Sequence, residues 1–176
     1  MKDTEIIEAI IAKLSVDVGR HLYGIVGTYR TLDRFADRLQ EAKTSDGQPF
    51  PAPTSVNKGI LSAIPDDEFR KLVENEARKP EPTKAHINRA FEKFLRHSLM
   101  ENGLVVLSNL ELVFAYDVDL NPLRTLATDQ QRVILLLPGR RAGDKIIMFS
   151  ESGEDSYLLP TNLIADDHIW SLNERP

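Results

Sequence analysis

The residues that could do chemistry gather around a glycine at position 27. The run His21-Leu22-Tyr23-Gly24-Ile25-Val26-Gly27 reads as a short buried strand, and Thr28, Arg30, Thr31, Asp33 and Arg34 follow it. A strand that closes on glycine before a helix can bring backbone N–H groups to a phosphate. In the pattern G-x-x-x-x-G-K-[ST] the glycines allow close approach, the lysine neutralises the anion and the hydroxyl holds magnesium. With Gly27 as the first glycine, the second falls on Leu32, the lysine on Asp33 and the hydroxyl on Arg34. A carboxylate about 4 Å from a phosphate charge is repelled by roughly 1–4 kcal/mol. Leu32 also carries a Cβ where the backbone should be bare. Arg30 or Arg34 would offset part of this loss, because arginine pairs well with phosphate.

A second nucleotide element would be a strand ending in an aspartate that holds magnesium. The run Leu104-Val105-Val106-Leu107 reaches Ser108 at that point, with Asn109 and Glu111 beyond it. Glu111 reads as a surface or interface acid rather than a displaced base. Around Gly27, Thr28 to Thr31 reads as a loop, Thr31 as a helix N-cap and Asp33 as an acid of the first turn. Asp33 is then expected to supply the anion where a phosphate would otherwise sit. Gly27, Thr28, Arg30, Thr31, Asp33, Arg34, Ser108, Asn109 and Glu111 thus form a vestigial nucleotide site, with no catalytic residue and no metal ligand expected.

These residues need a scaffold. Ile6, Ile7, Ile10, Ile11, Leu14 and Val18 recur at helical spacing and predict an N-terminal helix within residues 1–19, stopped by Gly19. Leu32, Phe35 and Leu39 predict the helix after Gly27. Residues 44–55 read as an exposed loop, with Pro49-Phe50-Pro51 a possible edge strand. Short helices are expected over 56–63 and 66–78, a break at Lys79-Pro80-Glu81-Pro82, and a longer helix bearing Ile87, Phe91, Phe94, Leu95 and Leu99. Asn121 to Leu126 reads as a short helix with proline in its first turn. The runs 104–107 and 133–137 (stopped by Pro138-Gly139) are apolar throughout, as in strands covered on both faces, and Lys145 to Phe149 reads as a third strand after the Gly143-Asp144 turn. Helices alternating with such strands predict a single domain over 1–176 with a mostly parallel sheet.

Composition narrows the function. A net charge of −5 argues against bulk nucleic-acid binding, although Arg30/Arg34/Arg38 and Arg140-Arg141 form local basic clusters. The sequence has no cysteine, which rules out disulfides and thiolate metal sites. The segment MKDTEIIEAIIAKL carries acids and does not read as a signal peptide, so a cytoplasmic location is expected. His21, His86, His97 and His168 lack metal-ligand spacing; His97 reads as the i,i+4 partner of Glu101. Asp166-Asp167-His168 points in too many directions to grip a metal, and residues 150–156 read as a solvated turn. Trp170, with Ile169 and Leu172, reads as a last core strand docking, with an exposed partner anchor as the alternative.

The stretch LVVLSNLELVFAYDVDLNPLRTLA, followed by RVILLLPGRRAGDKIIMF and SYLLP, resembles the small P-loop protein family of type 3 BREX phage-defence systems. Asn109, Glu111, Phe114, Pro122, Leu123 and Arg124 match that family's pattern over about residues 100–160, whereas its aspartate falls on Ser108 and its lysine on Asp33. The resemblance implies a P-loop NTPase-like (AAA-like) three-layer sandwich. With those two departures it also implies a non-catalytic subunit, with no cofactor expected and ATP disfavoured, beside larger ATPase, methyltransferase or helicase partners. Phe91, Phe94, Pro122 and Arg124 are the expected partner contacts. The competing expectations are a nucleotide-binding regulator with a non-standard phosphate site, and a nucleic-acid-binding accessory protein.

Overall fold

The computed structural model describes residues 1–75, 80–153 and 157–173. In chain order the elements are α1 (Asp3–Leu14), β1 (Leu22–Gly27), α2 (Tyr29–Glu41), β2 (Thr54–Ser55), α3 (Val56–Ala63), α4 (Asp66–Asn75) and α5 (Pro80–Asn102). These are followed by β3 (Leu104–Ser108), α6 (Glu111–Ala115), α7 (Asn121–Leu126), β4 (Arg132–Ala142), β5 (Lys145–Met148), β6 (Tyr157–Leu158) and β7 (Ile169–Ser171). Strands β2-β3-β4-β1-β7 lie side by side, every neighbouring pair parallel. Strand β5 pairs antiparallel with the far end of β4, and β6 with β5.

Alternation along the central strands explains the layers, because successive side chains point to opposite faces. Leu22 and Val26 of β1, Val105 and Leu107 of β3, and Val133, Leu135 and Leu137 of β4 meet α3, α5, α6 and α7 on one face. Tyr23 and Ile25, Val106, and Ile134 and Leu136 meet α1 and α2 on the other. Both faces are therefore dry, which is why these strands carry almost no polar residue.

Several expected boundaries move. Helix α1 ends at Leu14, and Val18 is 73% exposed rather than part of its buried stripe. The segment 44–55 is pinned by Phe50, which is buried at 3% exposure, and the edge strand is Thr54–Ser55 instead of Pro49–Pro51. Strand β4 continues through Pro138 and Gly139 to Ala142. The β3 ladder has already stopped at Leu135, so Pro138 interrupts no neighbour on that side. The strand expected at 145–149 returns as an antiparallel hairpin arm, not a further parallel strand. Helix α5 starts at Pro80 and keeps Pro82 in its first turn, where a missing N–H costs nothing. Residues 76–78 of the helix expected over 66–78, and Lys79, lie outside the described residues.

Candidate functional site

The two elements singled out by the sequence meet at the carboxyl ends of the parallel strands. Strands β1 and β3 flank β4; Gly27 pairs with Pro138 and Leu107 with Leu135, so Gly27 and Ser108 stand about 12 Å apart, two strand spacings across and two residues along. The helix after β1 packs on one face and those after β3 on the other. Such a reversal opens a crevice at the strand ends where parallel α/β sheets hold ligands.

At β1 the expected loop is not there. Only Thr28 separates β1 from α2, and helix begins at Tyr29. Thr28, not Thr31, is the N-cap: its hydroxyl accepts the Thr31 N–H at 3.2 Å, and its carbonyl accepts the Leu32 N–H at 2.9 Å. The Thr31 hydroxyl folds back onto the Thr28 carbonyl at 3.1 Å, over Gly27. A Cβ on Gly27 would lie 2.5 Å from that hydroxyl. Gly27 thus serves the close approach of α2 to β1.

The anion at the start of α2 comes from elsewhere. The Tyr29 N–H donates to a Glu151 carboxylate oxygen at 2.9 Å, where the helix dipole favours negative charge. Asp33 lies in the second turn and is exposed, which corrects the expectation that it fills this position. Sequence reading missed Glu151, which sits in the stretch taken as a solvated turn; Glu154 to Ser156 of that stretch lie outside the described residues. Arg30 is exposed, and Arg34 turns away to pair with Asp3.

At β3, Glu111 opens α6 and is held from two sides. The Tyr29 hydroxyl donates to Oε1 at 3.2 Å and the Asn57 amide to Oε2 at 2.9 Å. Asn57 also accepts the Leu112 N–H at 3.0 Å, and its own N–H donates to the Asn109 carbonyl at 3.1 Å. Asn109, at φ 55°, donates its amide to the Ser55 hydroxyl at 3.1 Å. The Ser108 hydroxyl reaches the Thr54 carbonyl at 3.5 Å. The crest is thus tied together across β1, β2 and β3. Burial, reinforced by Glu111, raises the Tyr29 hydroxyl above its ordinary pKa. Neither Glu111 nor Glu151 forms an ion pair among the described residues. The crest therefore presents two uncompensated carboxylates and an occupied helix start, which oppose a polyphosphate.

The expected partner contacts separate. Phe91 is 0% exposed and cannot meet a partner in the folded chain. Phe94 is half-buried against Gly59 of α3, where a Cβ would fall 2.3 Å from the ring. Pro122 and Arg124 remain half-exposed; Arg124 lines an open cleft of about 610 Å³ with Lys84, Asn88, Asp119 and Thr161. Trp170 is buried at 8% exposure in β7, and His97 meets Glu101 at 3.3 Å. Among the described residues no group of three or more metal-ligating side chains comes together, and no helix is long and apolar enough to cross a membrane.

Fold and site define a mixed α/β protein with a mostly parallel sheet, helices on both faces, and a carboxylate-capped crest at its strand ends. Compared with known proteins, the chain matches no family model, and neither a curated protein nor a solved structure is significantly similar to it.

Proposed function

We propose that this chain is a non-catalytic subunit, built on a P-loop NTPase-like scaffold, of a bacterial antiviral complex of the BREX kind acting in the cytoplasm. The observation that carries the non-catalytic half is the single-residue connection at Thr28, with the Tyr29 N–H already given to Glu151. A phosphate cradle needs several unengaged backbone N–H groups and a cation. At this crest the Tyr29 N–H is held by Glu151 and the Thr31 N–H by the Thr28 hydroxyl, and the lysine position of the pattern is Asp33. The parallel order β2-β3-β4-β1-β7 supports the scaffold, and the resemblance over residues 100–160 supports the defence role.

In this reading the crest network holds the fold rather than turning over a substrate, and the large subunits supply the chemistry. Titration with a fluorescent ATP analogue and magnesium tests the first half: no saturable binding that responds to Thr28→Ala or Glu151→Gln is expected at tens of micromolar. Phosphate release from ATP that is abolished by changes within residues 27–34 would overturn it. Co-purification from the native host tests the second half. The expected companions are ATPase, methyltransferase or helicase chains, and recovery of the protein alone counts against the role.

A further inference from the structure

The crest leaves two arginines unexplained. Arg34 and Arg38 lie one turn apart on α2 and both turn toward Asp3 at the start of α1. Asp3 is buried at 6% exposure; its Oδ2 lies 3.1 Å from Arg38 Nη1 and 3.4 Å from Arg34 Nε. Both contacts fall on the same oxygen, and neither that oxygen nor Arg34 Nε completes a hydrogen bond. Each guanidinium carries five N–H donors in a fixed fork, so one carboxylate oxygen leaves most of them unused. The two side chains, 41% and 53% exposed, border a hollow of about 130 Å³ together with Lys2, Thr4 and Asn173. Met1, whose α-ammonium donates to Asn173 Oδ1 at 3.0 Å, lines the hollow as well, so its lining is rich in cations against the one carboxylate of Asp3.

We propose that this hollow is a binding site for a phosphate group, free or at the end of a small molecule. Paired arginines match a tetrahedral oxyanion through parallel N–H donors better than lysine does. At about 30 Å³ per water the space holds roughly four waters, the scale of one oxyanion. Asp3 does two things: it orients the guanidinium groups by pulling them inward, and it weakens the site by its own charge. Arg34 lies about 7.5 Å along the helix from Tyr29, and Arg38 about 13.5 Å. The hollow is therefore distinct from the crest and independent of the reading given to it.

The test is an amide-shift titration by NMR with inorganic phosphate and with glycerol phosphate, at constant ionic strength held with chloride. The expected result is saturable movement of the α1 and α2 resonances. Arg38→Ala should weaken binding about tenfold or more, and Asp3→Asn should strengthen it by about the same factor. Glu151→Gln should leave it unchanged. Thermal midpoints confirm folding, and Arg38→Lys, which keeps charge but loses the fork, serves if Arg38→Ala does not fold. Equal binding of both probes assigns the site to the phosphate group itself; tighter binding of the ester assigns it to a phosphorylated small molecule. Shifts that do not saturate, that chloride reproduces, or that persist in the Arg38 variants overturn the proposal.

Discussion

The carboxylate of Glu151 accepts the backbone N–H of Tyr29 at 2.9 Å, joining two residues 122 positions apart. The same tyrosine donates its hydroxyl to Glu111, so one residue is held by acids at both its backbone and its side chain. Removing the first acid removes a favourable charge from a helix start. Glu151→Gln should cost about 0.3–1 kcal/mol at low salt and less at high salt. Urea denaturation at two ionic strengths checks this; a loss unaffected by salt would contradict a charge–dipole origin.

Gly27→Ala should be considerably worse. Its Cβ would meet the Thr31 hydroxyl at 2.5 Å and a Leu172 methyl at 3.2 Å, so α2 must shift outward. A cost of about 1–3 kcal/mol is expected for such overpacking. The double variant Gly27→Ala/Thr31→Ala should recover part of it. Strict additivity of the two single changes would show that the contact is not the cause.

Asn57→Asp keeps the carbonyl-like acceptor for the Leu112 N–H but replaces the amide that donates to Glu111 at 2.9 Å. Two carboxylates then face each other at the end of β3. Destabilisation of about 1–3 kcal/mol at pH 7 is expected, relieved as pH falls toward 4 and one acid protonates. A thermal-shift pH series on Asn57→Asp and wild type supplies the comparison.

Acid and alkali act on a different cluster. His21 is 2% exposed, and its Nδ1 shares a 2.6 Å hydrogen bond with the Tyr23 hydroxyl. Burial first, then the Arg132 guanidinium, hold its pKa below 6.5. As pH falls below 6.5 the unfolded chain binds this proton before the folded one does, so stability drops on acidification. Replacing the imidazole with an uncharged amide, His21→Asn, should flatten the fall in urea midpoint between pH 7 and pH 5. Burial pushes Tyr23 up to about 12. Its contribution is intact below pH 10 and is lost as pH rises toward 12.

How much of this was readable in the residues depended on range. Runs such as Val133 to Leu137 announce a strand because each residue must satisfy a dry neighbour on its own face. The stripe of Leu32, Phe35 and Leu39 announces α2 for the same reason. Residues 27–31 were harder: Gly27 looked like a phosphate turn, but its requirement comes from the Thr31 hydroxyl above it. Glu151 left no local mark, because a carboxylate on a turn looks solvated until the fold delivers a helix end to it. Phe91 and Phe94 share one helical face, yet only the fold shows that Phe91 is wholly enclosed in the core while Phe94 lies half-buried against Gly59.

The position of β1 has a consequence for synthesis. Leu22 pairs with Val133, 111 residues later, and on the other side Gly24 pairs with Ile169. At about 5–20 residues per second the ribosome needs roughly 5–20 s to deliver the first of these neighbours. During that interval Tyr23, Ile25 and Val26 have no strand on either side, which makes the nascent N-terminal half a natural client for holding chaperones. A chain interrupted before residue 132 would keep both edges of β1 open and should aggregate rather than wait.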